Sequence, residues 1–248
     1  MQKHSVFEER FSLTSYDVDF SGRLSLYGLL RRFQELAGAH AEHLHVGYDQ
    51  LKALGMAWYL SRIKVQIDSL PRWGDNVVLR TWPKGIDRLF AMRDFTLISE
   101  GGQFHVAATS RWLMVDTSKG RPVRLETLPW DLKYENITEA LPGTLEKIPS
   151  RAPCNPVYER EILPSDLDVN YHVNNAEYVK WVVDCFDVPT QSSRALRSIQ
   201  LNYLEETLVG DRVKIGLAVD QGAESPCYIE GLSTKKGSML FQAIVEWR

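Results

Sequence analysis

Leu26, Leu29, Leu30, Phe33, Leu36, Ala37 and Ala41 recur every three or four positions, with Arg31, Arg32, Glu35 and Glu42 falling between them. That spacing lines the apolar set along one face and predicts a long amphipathic helix over about residues 25–44. A short strand over 6–15 precedes it, ending at the polar turn Tyr16-Asp17-Val18-Asp19-Phe20-Ser21-Gly22. A connector at 45–56 follows, and the period then changes to two. Tyr59, Ser61, Ile63, Val65 and Ile67 alternate with Leu60, Arg62, Lys64 and Gln66, the pattern of a half-buried strand ending at Pro71. Three more strands are predicted at 77–82, 88–98 and 104–115, separated by turn residues at Lys84-Gly85, Glu100-Gly101-Gly102 and Ser118-Lys119-Gly120.

From 117 to 156 the texture changes. Pro122, Pro129, Pro142, Pro149, Pro153 and Pro156 interrupt any periodicity, so the stretch reads as a linker with at most one short helix. Beyond it the first pattern returns: a strand at 157–163, a polar turn, a shorter helix at about 175–186 and four strands at 196–204, 212–219, 227–234 and 239–247. Tyr178, Val179, Val182 and Phe186 share a face of that helix, and Glu177, three residues after Asn174, suggests a capping box. The residues repeat as well as the order. Asp17-Val18-Asp19-Phe20-Ser21 aligns with Asp168-Val169-Asn170-Tyr171-His172, a register that also pairs Tyr27 with Tyr178. Further on, Ile63-Lys64-Val65 through Trp73-Gly74-Asp75 aligns with Ile199-Gln200-Leu201 through Val209-Gly210-Asp211. Shared element order makes duplication the better explanation than chance.

The copies differ where chemistry would sit. Asp168, Asn170 and His172 occupy alternate positions just before the second helix, and alternate residues of an extended segment point the same way. An acid, an amide and an imidazole converging on one spot suit a hydrolytic centre. The plain alternative is a polar strand-to-helix turn with Asn174 as its N-cap, because Asx residues gather at such turns for local reasons. Where the second copy has Asn170, His172 and Glu206, this alignment gives the first Asp19, Ser21 and Leu70. A mere turn would not need the constellation in one copy only, so one half reads as catalytic and the other as structural or substrate-holding.

Composition narrows the class. The chain has 248 residues, 44% of them hydrophobic and 25% charged, enough apolar material for one large or two modest globular domains. A net charge of −3 argues against a general nucleic-acid-binding surface, which shows a basic excess. The three cysteines, Cys154, Cys185 and Cys227, are odd in number and lack metal-ligand spacing, which suits a reduced compartment and inert thiols. Residues 1–10 show no apolar leader core, and no apolar run approaches membrane-spanning length, so a cytoplasmic protein is expected. His40, His43 and His45 cluster without a convincing carboxylate partner and read as solvent-facing or helix-end residues rather than metal ligands; no cofactor is implied.

A helix wrapped by an antiparallel sheet, twice in one chain, is the hotdog architecture, an α+β fold. The residues resemble the plant and bacterial acyl-acyl-carrier-protein (acyl-ACP) thioesterases over almost the whole chain. The resemblance rests on Asp166-Leu167-Asp168-Val169-Asn170-Tyr171-His172-Val173-Asn174-Asn175 and Leu201-Asn202-Tyr203-Leu204-Glu205-Glu206-Thr207 in the second half. In the first half it rests on Arg72-Trp73-Gly74-Asp75, Thr81-Trp82, Met92-Arg93-Asp94-Phe95 and Ser110-Arg111-Trp112. It implies two tandem hotdog units, an acyl-pocket unit at 1–125 and a catalytic unit at 157–248 joined by a linker at 126–156. It implies release of free fatty acid and holo-ACP from acyl-ACP, ending chain elongation in fatty acid biosynthesis. The family's catalytic residues fall on Asp168, Asn170, His172 and Glu206. Where members often carry a cysteine after that glutamate, this chain has Thr207, and no plant-type transit peptide is visible. The expected partner is an acyl carrier protein bearing an acyl-phosphopantetheine, with homodimer formation left open. An acidic carrier would approach basic residues, for which Arg31, Arg32, Lys119, Arg121, Arg124, Lys235 and Lys236 are candidates. Leu30, Gln34, Met56 and Trp58 are candidates for lining an apolar tunnel.

A thioester is already activated, so water, a base and oxyanion donors suffice. In this reading Glu206, helped by His172, deprotonates the water, and Asn170 with an N–H of the helix start polarises the carbonyl. Asp168 orients its neighbours and holds the His172 ring. Hydratases of the same fold typically carry a proline after the asparagine and place the histidine one residue later, which Tyr171 and His172 disfavour. An acyl-CoA thioesterase differs only in the carrier, and a non-enzymatic acyl sensor would need an output domain.

Overall fold

The structure is a computed structural model and describes residues 6–128, 130, 138–151, 154–219 and 225–248. The chain divides into two compact units, residues 1–145 and 146–248. Their boundary falls inside the proline-broken stretch.

In the first unit, strand β1 (Phe7–Ser12) is followed by helices α1 (Leu26–His43) and α2 (Tyr48–Ala53). Four long strands come next, β2 (Met56–Ile67), β3 (Asn76–Asp87), β4 (Phe90–Ser99) and β5 (Phe104–Asp116), with a two-residue β6 (Arg121–Pro122). Neighbouring strands pair antiparallel in the order β1-β3-β4-β5-β2, and β6 adds to the end of β5. α1 forms where the apolar spacing predicts it. Ser25 caps it by accepting the Gly28 N–H, and Leu26, Leu29, Leu30, Phe33, Leu36, Ala37 and Ala41 are all buried. Phe33 stacks on Phe95 of β4 with ring centroids 4.5 Å apart, so the helix lies on the sheet.

Several local expectations change. The predicted connector at 45–56 holds α2, whose six residues are too few to show a period. The Lys84-Gly85 pair lies within β3 rather than between strands. β3 crosses Pro83 by a register shift between Pro83 and Gly85, where a proline without an N–H is tolerated, and turns only around Arg88, which has φ 58°. His40 is fully buried, not solvent-facing: its ring stacks on Phe7 and its Nδ1 lies 3.1 Å from Arg93 Nη1. Among the described residues no cluster of three His, Cys, Asp or Glu side chains is placed to hold a metal ion.

The expected linker is ordered in its described part. In the first unit Trp82 Nε1 donates to the Thr138 carbonyl, Asp94 accepts the Ala140 N–H, Arg62 donates to the Leu145 carbonyl, and Leu141 and Leu145 are buried. In the second unit Gln200 donates to the Glu146 carbonyl and Ile148 is buried. Residues 131–137 of that stretch lie outside the described residues.

The second unit contains β7 (Asn155–Glu161), α3 (Asn175–Val183), α4 (Val188–Ser193), β8 (Leu196–Tyr203), β9 (Arg212–Val219), β10 (Cys227–Ser233) and β11 (Met239–Trp247). Its strands pair antiparallel in the order β8-β11-β10-β9-β7. α3 buries Tyr178, Val179, Trp181 and Val182. The Tyr178 ring meets Tyr203 and Phe241 edge-on at 5.2 and 5.4 Å, which seats the helix on β8 and β11. α3 stops at Val183, three residues before its predicted end, because Asp187 caps a new helix whose first turn contains Pro189. Each unit is thus a hotdog: one principal helix against an antiparallel sheet.

Candidate functional site

The stretch before α3 is a closed turn, not an extended segment. Leu167 and Val173 form an isolated antiparallel bridge, the Asp168 N–H donates to the His172 carbonyl at 2.8 Å, and the Tyr171 N–H donates to the Asp168 carbonyl at 3.0 Å. Tyr171 takes φ 62°, the left-handed region that a bulky side chain avoids. Asp168 Oδ1 accepts the main-chain N–H of Asn170 at 2.8 Å and of His172 at 3.3 Å. Its carboxylate therefore closes the turn and holds the His172 main chain. Asn170 stands exposed at the tip. Asp166, which sequence reasoning passed over, is buried: Arg160 Nη2 donates to both its oxygens at 2.8 and 2.9 Å, and the Leu163 N–H donates to Oδ2.

The turn's second arm meets the segment after β8. Val173 donates its N–H to the Thr207 carbonyl at 3.1 Å, and His172 Nε2 lies 3.4 Å from Glu206 Oε2. The His172 and Glu206 side chains are 26% and 49% exposed, so the pair is open to solvent. α3 begins beside it. Asn174 caps it by accepting the Ala176 N–H at 2.9 Å, while Glu177 pairs with Lys180 at 2.7 Å, so the expected capping box does not form. Of the N–H groups from Asn174 to Glu177, Asn174 donates to the Asp166 carbonyl, Ala176 to the Asn174 side chain and Glu177 to the Asn174 carbonyl. Among the described residues this leaves the Asn175 N–H, on the positive end of the helix, as a donor for an oxyanion.

The same hydrogen bonds align the two copies and move the first part of the sequence alignment by two residues. Asp17 and Asp166 each accept the N–H three residues earlier, from Thr14 and Leu163, and their carbonyls each accept the N-cap N–H, from Ser25 and Asn174. Asp19 Oδ1 accepts the N–H of Ser21 and Arg23 as Asp168 does those of Asn170 and His172. Asp168 therefore corresponds to Asp19, Asn170 to Ser21, Tyr171 to Gly22, His172 to Arg23 and Tyr178 to Leu29. The later part holds as read: Leu24 donates to the Pro71 carbonyl as Val173 does to Thr207, which keeps Glu206 opposite Leu70. Asn170, His172 and Glu206 remain peculiar to the second copy, whereas Asp168 has a counterpart doing the same work. The earlier register missed this because the Asp-x-Asp spacing occurs in both turns and matches itself two residues out of step.

Other predicted residues disperse. Met56 and Trp58 pack together against a cluster of Ala41, Val46, Leu51, Met114 and Leu125, with Trp58 Nε1 bonded to the Val46 carbonyl at 2.9 Å. Leu30 and Gln34 lie earlier on α1, outside that cluster; Leu30 is buried and Gln34 half-buried. Of the basic candidates, Arg32 pairs with Asp17, Lys119 with Asp116, Lys235 with Asp211 and Lys236 with Glu205. Burial pushes the Cys185 thiol up to about 12 and the Cys154 thiol up to about 11, so neither supplies a thiolate at neutral pH.

Two family models cover most of the chain: the acyl-ACP thioesterase N-terminal domain matches residues 4–127, and the acyl-ACP thioesterase C-terminal domain matches 158–248. The chain belongs to the acyl-ACP thioesterase family. Relatives include a chloroplastic palmitoyl-acyl carrier protein thioesterase of Gossypium hirsutum, 28% identical over 83% of this chain and 53% of that protein. A chloroplastic oleoyl-acyl carrier protein thioesterase of Arabidopsis thaliana is 26% identical over 84% of this chain and 62% of that protein. The chain thus spans between half and two thirds of the length of these curated relatives. The fold matches an acyl-ACP thioesterase structure from Bacteroides thetaiotaomicron at TM-score 0.86 and 25% identity, covering all of both chains. It matches a 12:0-ACP thioesterase from Umbellularia californica at TM-score 0.86 and 24% identity, covering 98% of this chain and 97% of that one. Those whole-chain likenesses place this acyl-ACP thioesterase family member among double-hotdog proteins.

Proposed function

We propose that this protein hydrolyses acyl-ACP to free fatty acid and holo-ACP. What carries the reading is the His172–Glu206 contact at the start of α3, in a chain matched by both acyl-ACP thioesterase domain models. Glu206, helped by His172, takes a proton from water as the water oxygen bonds to the thioester carbon. The Asn170 carboxamide and the Asn175 N–H hold the oxygen that becomes negative. The carbon–sulfur bond then breaks, and the pantetheine sulfur leaves with the proton that the water gave up. Asp168 is a positioning residue, fixing where His172 emerges from the turn. Acyl-chain binding is assigned to the first unit, with Leu30, Gln34, Met56 and Trp58 as its lining. The reaction belongs to fatty acid biosynthesis in the cytoplasm, with the acyl carrier protein as partner; homodimer formation is a separate question for sedimentation.

The test is hydrolysis of a panel of acyl-ACPs and acyl-CoAs of graded chain length, followed by free-thiol release. Turnover with acyl-ACP favoured in kcat/KM is expected. A preference for acyl-CoA would reassign the carrier, and no turnover on any thioester would defeat the reading.

A further inference from the structure

His172 and Glu206 come from separate segments, so something must set the distance between them. Residues 173–178 and 203–207 are joined by three hydrogen bonds. The Val173 N–H donates to the Thr207 carbonyl at 3.1 Å, the Tyr178 hydroxyl donates to Thr207 Oγ1 at 2.9 Å, and the Tyr203 hydroxyl donates to the Asn175 carbonyl at 3.1 Å. Thr207 has no exposed surface and Tyr178 is 4% exposed, so water cannot replace their bond. The Tyr178 ring is wedged by Trp181, Tyr203 and Phe241, which fixes the direction of its hydroxyl. Burial pushes its phenol up to about 12, so it stays a neutral donor across the working range.

The first copy provides an internal control. The main-chain bond is kept there, from Leu24 to Pro71, but Leu29 stands for Tyr178, Pro71 for Thr207, Leu26 for Asn175 and Ile67 for Tyr203. Neither hydroxyl bond can form with those side chains. The copy with Arg23 and Leu70 in place of the imidazole and the carboxylate thus also lacks the clasp. If the clasp served only to seat a helix on a sheet, both copies would need it.

We infer that Tyr178 and Thr207 are positioning residues whose buried hydrogen bond sets Glu206 against His172. Thr207 then does its work by holding, not by attack: its hydroxyl already accepts from Tyr178, and its side chain is sealed from substrate. The inference rests on the proposed hydrolysis for its kinetic test, and a structural readout keeps the two separable.

Tyr178→Phe and Thr207→Val each remove the hydroxyl bond with little change in volume. Each should lower kcat for acyl-ACP about tenfold or more, as misplacement of catalytic groups does, while KM stays within about twofold. Thr207→Ser should restore most of kcat, and the Tyr178→Phe/Thr207→Val double variant should be no slower than the slower single variant. In a crystal structure of Tyr178→Phe, His172 Nε2 should lie farther from Glu206 Oε2 than the present 3.4 Å. Folded variants with wild-type kcat, a Thr207→Ser as slow as Thr207→Val, or an unchanged distance would each overturn the inference. A wild-type protein inactive on every thioester would instead overturn the proposed function, and the distance measurement would still decide the clasp.

Discussion

Asp168 is where the duplication allows a function to be separated from a fold. Its Oδ1 accepts two main-chain N–H groups at 2.8 and 3.3 Å, and Asp19 does the same in the first copy at 2.8 and 3.4 Å. A hydrogen bond to a charged acceptor contributes about 1.5–3 kcal/mol net, and the second bond in each turn is long. Both turns are partly exposed, so water recovers some of the loss, and we expect Asp168→Ala and Asp19→Ala to cost ~1–2 kcal/mol each. For a chain of this size that is a fall in Tm of about 2–4 °C per kcal/mol. Asp168→Asn keeps an oxygen acceptor and should lose about half as much, since charge-assisted bonds are roughly twice as strong as neutral ones. Only Asp168→Ala should slow turnover, by about 10- to 100-fold, because only that turn delivers an imidazole. Asp168→Asn should stay within a few-fold of wild type. The assays are urea unfolding and acyl-ACP hydrolysis on the four proteins side by side. Two results would refute the reasoning: Asp19→Ala slowing turnover as much as Asp168→Ala, or Asp168→Asn losing turnover while keeping its stability. The second would mean that the carboxylate charge itself enters the chemistry.

Glu206→Ala should abolish turnover while shifting stability by less than about 1 kcal/mol, because its pairing with His172 is largely exposed; wild-type-like rates would sink the assignment. Tyr171 is 79% exposed with φ 62°, where Gly22 stands in the first copy. A left-handed non-glycine residue costs about 1–2 kcal/mol, so Tyr171→Gly should raise urea stability by ~1 kcal/mol after the added freedom of the unfolded chain, and a loss would contradict the strain. Burial raises the Asp94 carboxyl above its ordinary 3.8, outweighing the pull of Thr109, the Ala140 N–H and Lys84. Its proton is held more tightly folded than unfolded, so this contribution is full below 3.8 and is lost as pH rises through the raised value. Urea midpoints of wild type measured against Asp94→Asn between about pH 4 and 7 should therefore fall with rising pH, and parallel curves would rule the effect out.

The sequence by itself determined the principal elements and their order, the short helices α2 and α4 excepted. α1 is legible because seven apolar side chains share a face, and β2 because Ile63, Val65 and Ile67 alternate with charged and polar neighbours; both periods are local consequences of backbone geometry. The duplication was legible too, as were His172 and Glu206 as candidates, the latter through family resemblance. Tertiary structure alone decided what is held by contacts between distant residues. Asp168 closes a turn, because the donors to its carboxylate are main-chain N–H groups that alternation along an extended strand cannot anticipate. Tyr178 read as one apolar face residue among several, and Thr207 as a missing cysteine. That their hydroxyls meet across 29 positions of chain follows only from α3 lying on β8 and β11. Periodicity reports which side of an element faces inward; which buried polar atoms find one another depends on how the elements pack.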